Sequence, residues 1–257
     1  KLVKIAGQPP PLPPLPALHC GPEPLRVALD VDGISSRRIA TTVAKQLTEH
    51  HLEQNYRGCS RVFTDGSVRP SDGSSTAAAI MDEAPRCLGS GLGFHSSSTT
   101  AELAALGLAV AALINISAAS VRPRSWVICS DSRAALTRLS ALEKAPPLAR
   151  RVTATAEILT KRGHSLAFQW VPTHCGIEGN EAADELAEKM HRGSNIQMTG
   201  VEKFDDARLL VARDIAARHP DARLAAGDRP ARVPRSLGRR EAATIHRLRT
   251  GSAWTPE

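Results

Sequence analysis

Aromatic residues are scarce in this sequence: Phe, Trp and Tyr together make up 3% of its 257 residues. Hydrophobic residues as a class nevertheless reach 42%, which is close to the share found in ordinary globular domains. We therefore expect a packed core built from Ala, Leu, Val and Ile rather than from large rings. The length suits one α/β domain with additional segments.

Long hydrophobic runs are also absent. The longest, residues 103–114, contains twelve residues, whereas a helix needs about 20 apolar residues to span a bilayer. The sequence starts with neither an initiator Met nor a charged-then-apolar leader. We therefore expect no membrane partner, and we interpret the chain as a fragment of a longer protein.

Cysteines are few and widely separated. Five are present, an odd number, and no pair has the spacing of a metal site. Scattered free thiols suit a reducing compartment, so we expect an intracellular protein in the cytoplasm or nucleus. The five are Cys20, Cys59, Cys87, Cys129 and Cys175.

The net charge of +7 is distributed unevenly along the chain. Residues 1–60 carry 7 basic and 5 acidic groups, residues 61–192 carry 14 and 13, and residues 193–257 carry 12 and 8. The central part is thus nearly neutral, and the C-terminal part supplies most of the excess. Such a basic part suits nucleic-acid binding and equally suits a solubilising arm.

Composition divides the chain into three parts. Residues 8–16 contain six prolines and have the composition of a polyproline-like linker. Residues 35–54 are predicted to be helical, with His50 and His51 at a solvated helix end. We assign residues 1–59 to a Pro-rich linker and connecting helix, 60–192 to a central domain, and 193–257 to a basic helical C-terminal extension.

The central part contains strand-like and helix-like patterns whose order along the chain indicates the sheet topology. Hairpin-linked strands come first and crossovers follow, which predicts an α/β fold with a five-stranded mixed sheet flanked by helices. Three antiparallel strands should precede two parallel ones. Residues 61–67 are predicted to form a strand that ends in a turn, and the other predicted strands are 76–81, 86–94, 126–130 and 166–171. The predicted helices are 99–116, 132–142, 148–162 and 180–191, with two more near 203–218 and 236–250 in the extension.

Four acidic residues fall at the ends of these elements. Asp65 ends the first strand, Glu102 lies in the first turn of the long helix, Asp131 follows a buried strand, and Asp184 lies one turn into the last helix. Such ends converge on one edge of an open sheet. Each acid alone is most simply a cap or a surface charge, but four together would repel strongly. Their joint placement favours a site for Mg²⁺, which prefers oxygen ligands.

The segments around these acids resemble the four motifs of type 1 ribonucleases H, in the family's order and spacing. The first three are Thr64-Asp-Gly-Ser, Thr99-Thr-Ala-Glu-Leu-Ala-Ala-Leu and Cys129-Ser-Asp-Ser-Arg-Ala-Ala-Leu. The last is the most specific, Trp170-Val-Pro-Thr-His-Cys-Gly-Ile-Glu-Gly-Asn-Glu-Ala-Ala-Asp-Glu-Leu-Ala. The resemblance implies that residues 60–192 form a ribonuclease H catalytic domain with a ribonuclease H-like fold. It also implies an endoribonuclease that cuts the RNA strand of RNA–DNA hybrids.

The same resemblance implies a role for each matching residue. Asp65, Glu102, Asp131 and Asp184 are expected to be catalytic and to bind two Mg²⁺ ions, with Mn²⁺ able to substitute and no organic cofactor. His174 is expected to be catalytic from a mobile loop, assisting proton transfer or product release. The positions expected near the bound nucleic acid are Ser67, Thr99 and Asn180.

Two departures from the family qualify the resemblance. Longer members carry a basic helix between the third and fourth motifs, where this chain has only Glu143-Lys-Ala-Pro-Pro. The Pro-rich lead-in and the downstream His246-Arg-Leu-Arg-Thr-Gly resemble the domain that follows reverse transcriptase in non-LTR retrotransposons. A reverse transcriptase domain is therefore expected in the same full-length chain.

Two other functions remain open. A non-catalytic nucleic-acid-binding or tethering module with a decayed site would keep the fold, although the four acids and His174 are all present. An integrase-like DNA strand transferase would use a similar metal site on the same fold. The loop around His174 and the position of Asp184 on a helix favour ribonuclease H.

Overall fold

The computed structural model describes residues 25–34, 39–69, 71–82, 86–120, 122–141 and 145–192, and then residues 206, 234 and 236–249. The polyproline-like segment and the first predicted helix of the C-terminal extension, apart from residue 206, lie outside these described residues. Everything below concerns the described part of the chain.

A six-stranded mixed sheet forms the centre of the fold, in the order β1-β6-β5-β2-β3-β4. The central strand β2 pairs in parallel with β5 and antiparallel with β3. Its neighbours continue the pattern, with β4 antiparallel to β3 and β6 parallel to β5. The strands are β1 Arg26–Ala28, β2 Ser60–Val68, β3 Ser75–Met81, β4 Arg86–Gly91, β5 Ser125–Ser130 and β6 Ser165–Trp170.

This topology confirms the predicted α/β class and mixed sheet, but the predicted number of five strands was wrong. The additional strand, β1, lies at the sheet edge parallel to β6 and is three residues long. A segment this short shows no two-residue periodicity, so only its pairing with β6 reveals it as a strand.

Five of the six described helices begin and end near the predicted positions, and the first begins at Thr41, later than the predicted residue 35. The six are α1 Thr41–Asn55, α2 Ser98–Ala118, α3 Arg133–Ser140, α4 Pro147–Lys161, α5 Glu178–Met190 and α6 Arg239–Arg249. The long helix α2 starts where the Ser/Thr run predicts, because the Ser97 side chain accepts a hydrogen bond from the Thr100 N–H. Only six residues separate α3 from α4, which leaves no room there for the family's additional basic helix.

Side chains of adjacent strand residues point to opposite faces of the sheet, and both faces are covered. Val62 and Ile128 pack under α2, α3 and α4, whereas Phe63 and Val127 pack under α1 and α5. The fold therefore has three layers with two hydrophobic cores, as buried parallel strands require.

By length and composition, helix α2 could cross a bilayer. The core helix of a globular domain can be equally long and apolar. In this fold α2 packs against the sheet and α4, and its buried residues include Leu103, Leu106, Val110 and Leu113. Packing within the domain thus accounts for its apolar character.

The prediction that His51 lies at a solvated helix end was wrong. The side chain is buried in α1, where Nδ1 lies 3.1 Å from the Asp32 carboxylate and Nε2 lies 3.2 Å from Gln169 Oε1. Tyr56 donates a further hydrogen bond of 2.8 Å to the same Gln169 oxygen. Sequence periodicity could not indicate this network, because its partners lie far apart in the chain.

Candidate active site

Asp65 lies within β2 rather than at its end, which corrects the predicted strand boundary. Strand β2 continues to Val68 because its antiparallel partner β3 remains paired with it, with Asp65 opposite Ala78. On the other side, Thr64 pairs with Ser130, the last residue of β5. Asp65 and Asp131 come directly after this pair and therefore lie at the same level on two neighbouring parallel strands.

Glu102 reaches this position because Gly66 lets α2 approach β2 closely. A Cβ atom on Gly66 would overlap the backbone of Ala101 and Glu102. The absence of a side chain thus allows direct contact between the strand backbone and the first turn of the helix. The Glu102 side chain is consequently buried beside Asp65.

Three carboxylates meet at this point. Asp65, Glu102 and Asp131 can each supply an oxygen within 4.8 Å of the others. Asp65 is 9% exposed and Glu102 is 7% exposed, so the first two acids lie deep in the protein and Asp131 is partly exposed. An unneutralised cluster of this kind is electrostatically unfavourable.

The pKa values of the two buried acids reflect that cost. Burial, followed by the charges of Asp131 and Asp184, raises the pKa of Asp65 from 3.8 to about 7 despite smaller lowering effects. Burial likewise raises the pKa of Glu102 well above its ordinary value, followed by the charges of Asp65 and Asp131. Asp184 also acts on both groups, so the four acids form one electrostatic unit.

The donor set fits a divalent cation. Within the described residues, Glu102 Oε2 is buried with no hydrogen-bond partner. A buried carboxylate oxygen without a donor is unfavourable, and a cation would satisfy it. All the available ligand atoms in the cluster are carboxylate oxygens, the type that Mg²⁺ and Mn²⁺ prefer.

Asp184 lies in a second acidic group on α5. It can supply an oxygen within 4.8 Å of ligand atoms from His174 and Glu181. The start of α5 is held close to β2, because a Cβ on Gly179 would overlap the Phe63 ring. The close contact of α5 with β2 sets the position of Asp184 relative to Asp65.

Comparison with known families agrees with this geometry. A family model described as RNase H matches residues 59–192, just over half of the chain. The chain belongs to the RNase H family. No curated protein matches it. The family match shows that the chain contains a ribonuclease H domain. Domains of this family are nucleic-acid-binding nucleases, a class of hydrolase, and they generally use divalent metal ions.

In this RNase H domain, His174 lies on the exposed loop before α5. Its backbone has φ +48°, a left-handed conformation that is uncommon for a residue other than glycine. The ring Nδ1 lies 4.0 Å from a Glu181 carboxylate oxygen, and 72% of the His174 side chain is exposed. The Gly176 N–H donates a 3.1 Å hydrogen bond to the other Glu181 carboxylate oxygen, and this bond connects the loop to α5.

Glu181 and Trp170 are potential functional residues that the sequence interpretation did not identify. Glu181 precedes Asp184 by three residues, a helical spacing that places both on one side of α5, so the signal was available. The Trp170 indole donates a 3.0 Å hydrogen bond to the Asp131 carbonyl, and the Arg133 guanidinium lies 3.9 Å from the centre of its ring. Sequence spacing gives no signal for that contact.

The three residues predicted to bind nucleic acid lie on the same elements as the acids. Ser67 follows Asp65 on β2, and its hydroxyl lies 3.0 Å from Nε2 of the buried His191. Thr99 is partly exposed in the first turn of α2. Asn180 is buried in the first turn of α5, and its Oδ1 has no hydrogen-bond partner among the described residues.

Proposed function

We propose that this chain is an endoribonuclease that hydrolyses the RNA strand of RNA–DNA hybrids with two divalent metal ions. The observation that carries the proposal is the buried group of Asp65, Glu102 and Asp131, with a Glu102 oxygen that lacks a donor. Mg²⁺ is the expected ion and Mn²⁺ is expected to substitute for it. No organic cofactor is required by this chemistry.

The four acids are proposed to bind the ions from two sides of the site. Asp65, Glu102 and Asp131 form one side of the site, and Asp184 approaches from α5. Two bound ions would supply an activated water and stabilise the leaving oxygen of the phosphodiester. The acids would hold the ions, and the close approach at Gly66 and Gly179 sets the spacing between the elements that carry the acids.

His174 is proposed to move protons at the edge of the site. Its exposed ring lies beside Glu181, and the loop around it is tied to α5 through the Gly176 N–H. A histidine in such a position can exchange a proton with solvent and with a departing product. The proposed role does not require His174 to bind metal.

The substrate is proposed to be recognised by its backbone and its 2′-hydroxyl groups. Ser67, Thr99 and Asn180 lie next to the acids along β2, α2 and α5 and offer hydroxyl or amide groups. Contacts with the 2′-OH allow a protein to distinguish RNA from DNA. We propose that these three residues contact the hybrid.

We further propose a retrotransposon setting for the domain. The Pro-rich segment before it and the Leu-Arg-Thr-Gly sequence after it support a position downstream of reverse transcriptase in one longer chain. The four cysteines in the described part of the chain are free, which supports a reducing intracellular compartment, the cytoplasm or the nucleus.

A cleavage assay tests the function directly. The full chain should cut a labelled RNA–DNA hybrid with Mg²⁺ or Mn²⁺, cut little duplex DNA or single-stranded RNA, and stop when EDTA is added. Asp131→Asn serves as the matched inactive control. Equal cutting of duplex DNA would favour the integrase-like alternative, and hybrid binding without any cutting would favour the decayed module.

A further inference from the structure

Asp206, in the C-terminal extension, contacts the start of α2, the helix that carries Glu102. Its Oδ1 accepts a 2.9 Å hydrogen bond from the Ser97 backbone N–H. The Thr100 hydroxyl lies 3.2 Å from Oδ1 and 3.1 Å from Oδ2. One carboxylate, more than 100 residues away in the sequence, thus holds both the residue that caps α2 and a residue of its first turn.

Burial makes this contact specific. Asp206 is 1% exposed and Thr100 is also 1% exposed. A carboxylate buried to this extent requires nearby donors, because its desolvation is unfavourable. The N-terminus of α2 supplies them, and the positive end of the helix dipole additionally favours a negative charge there. Ser97 strengthens the arrangement through its own side chain, whose Oγ lies 3.0 Å from Thr100 Oγ1.

The turn that Asp206 holds is the turn that positions Glu102. Thr100 precedes Glu102 by two residues, and between them Ala101 lies directly against Gly66 of β2. The first turn is therefore fixed from two sides, by the β2 backbone and by the Asp206 carboxylate. Losing one of these supports should allow the start of α2 to fray and the Glu102 carboxylate to shift relative to Asp65.

We propose that Asp206 is a positioning residue for the metal site, acting through Ser97 and Thr100 on the first turn of α2 that carries Glu102. The inference rests on the proposed function of that site as a metal-dependent ribonuclease. It gives the extension a role in catalysis that is separate from any binding by its arginines.

The first test uses no RNA. In Asp206→Ala, amides in the first turn of α2 should exchange hydrogen faster in the metal-free protein. Mn²⁺ affinity measured by titration calorimetry should fall by about tenfold, the lower end of what outer hydrogen-bond partners of metal ligands contribute. Asp206→Asn keeps one acceptor oxygen, replaces the other oxygen with an NH2 donor and removes the charge. It should recover the affinity to within about threefold, since charged hydrogen bonds are only moderately stronger than neutral ones. Glu157→Ala, which removes a partly exposed carboxylate from α4, is the control and should leave the affinity unchanged.

Kinetics with the hybrid provide the second readout. Asp206→Ala should lower kcat and leave KM nearly unchanged, because the carboxylate does not contact substrate in this proposal. Thr100→Val removes the hydroxyl partner, and its effect should not add to that of Asp206→Ala if the two act through one contact. A wild-type protein that binds Mn²⁺ but does not cut hybrids would contradict the proposed function and leave the binding test of Asp206 valid.

Two results would overturn the inference. An unchanged Mn²⁺ affinity in folded Asp206→Ala would mean that the contact only attaches the extension to the domain. A rise in turnover, or a lower KM, would mean that Asp206 competes with the substrate for the start of α2. If Asp206→Ala does not fold, Thr100→Val decides, because unchanged metal affinity in that variant also contradicts the proposal.

Discussion

Replacing Asp65 by Asn should stabilise the metal-free protein while abolishing cleavage. The Asp65 pKa rises from 3.8 to about 7 on folding, through burial first and then the charges of Asp131 and Asp184. The folded state therefore binds the proton more tightly than the unfolded state does. Ionised Asp65 destabilises the fold, and the neutral amide of the Asp65→Asn variant removes that ionisation.

The sign and size of the effect follow from linkage. A raised carboxyl pKa has no effect on stability below pH 3.8, destabilises increasingly as pH rises toward 7, and is constant above that pH. At about 1.4 kcal/mol for each pKa unit, the destabilisation reaches up to about 4 kcal/mol at pH 8 and about 2 kcal/mol at pH 5. The gain in Asp65→Asn should therefore be roughly two to three times as large at pH 8 as at pH 5.

Calorimetric melting in EDTA measures this difference. For a chain of this size each 1 kcal/mol raises Tm by about 2–4 °C, so the variant should melt clearly above the wild type at pH 8. Glu185→Gln removes an exposed acid next to Asp184 and is the control, with no expected gain. Equal Tm values for Asp65→Asn and wild type at pH 8, or a gain that does not depend on pH, would refute the argument.

Three further variants probe the loop, the close helix contact and the C-terminal extension. His174→Ala should slow hybrid cleavage by about 10²–10⁴-fold, the usual contribution of a proton-transferring group, with unchanged Mn²⁺ affinity by calorimetry; a weakened affinity would instead make His174 a ligand. Gly66→Ala should lower the free energy of unfolding by about 2–5 kcal/mol in urea melts, since its Cβ would overlap the backbone of Ala101; a wild-type value would show that α2 can move away freely. Arg239→Gln with Arg240→Gln should flatten the slope of log K against log salt for hybrid binding by up to about 2, and an unchanged slope would leave the extension as a connector.

Regular periodicity explains why much of the fold could be predicted from the sequence. The apolar spacing of α2 and the buried run of β5 depend on neighbouring residues, so local patterns are sufficient to locate them. Strand β1 is too short for such a pattern. The continuation of β2 past Asp65 depends on pairing with β3, which a turn-like Asp-Gly sequence does not indicate.

The candidate site likewise has features that local sequence patterns predict and contacts that they do not. The meeting of Asp65, Glu102 and Asp131 follows from their positions relative to strands and helices. The contacts of Asp206 with α2 and of Trp170 with the Asp131 carbonyl join residues that are distant in sequence or involve backbone atoms. Their formation depends on tertiary packing, which one sequence without its structure does not specify.

Gly66 and Gly179 also bear on how this domain tolerates sequence change. At both positions a helix meets β2 or its Phe63 side chain with no space for another carbon atom. The spacing between the elements that carry the acids is thus set mainly by the thickness of the backbone itself. Repacking of the two hydrophobic cores, whether by evolution or by engineering, should therefore alter the melting temperature well before it alters the preference for a particular ionic radius.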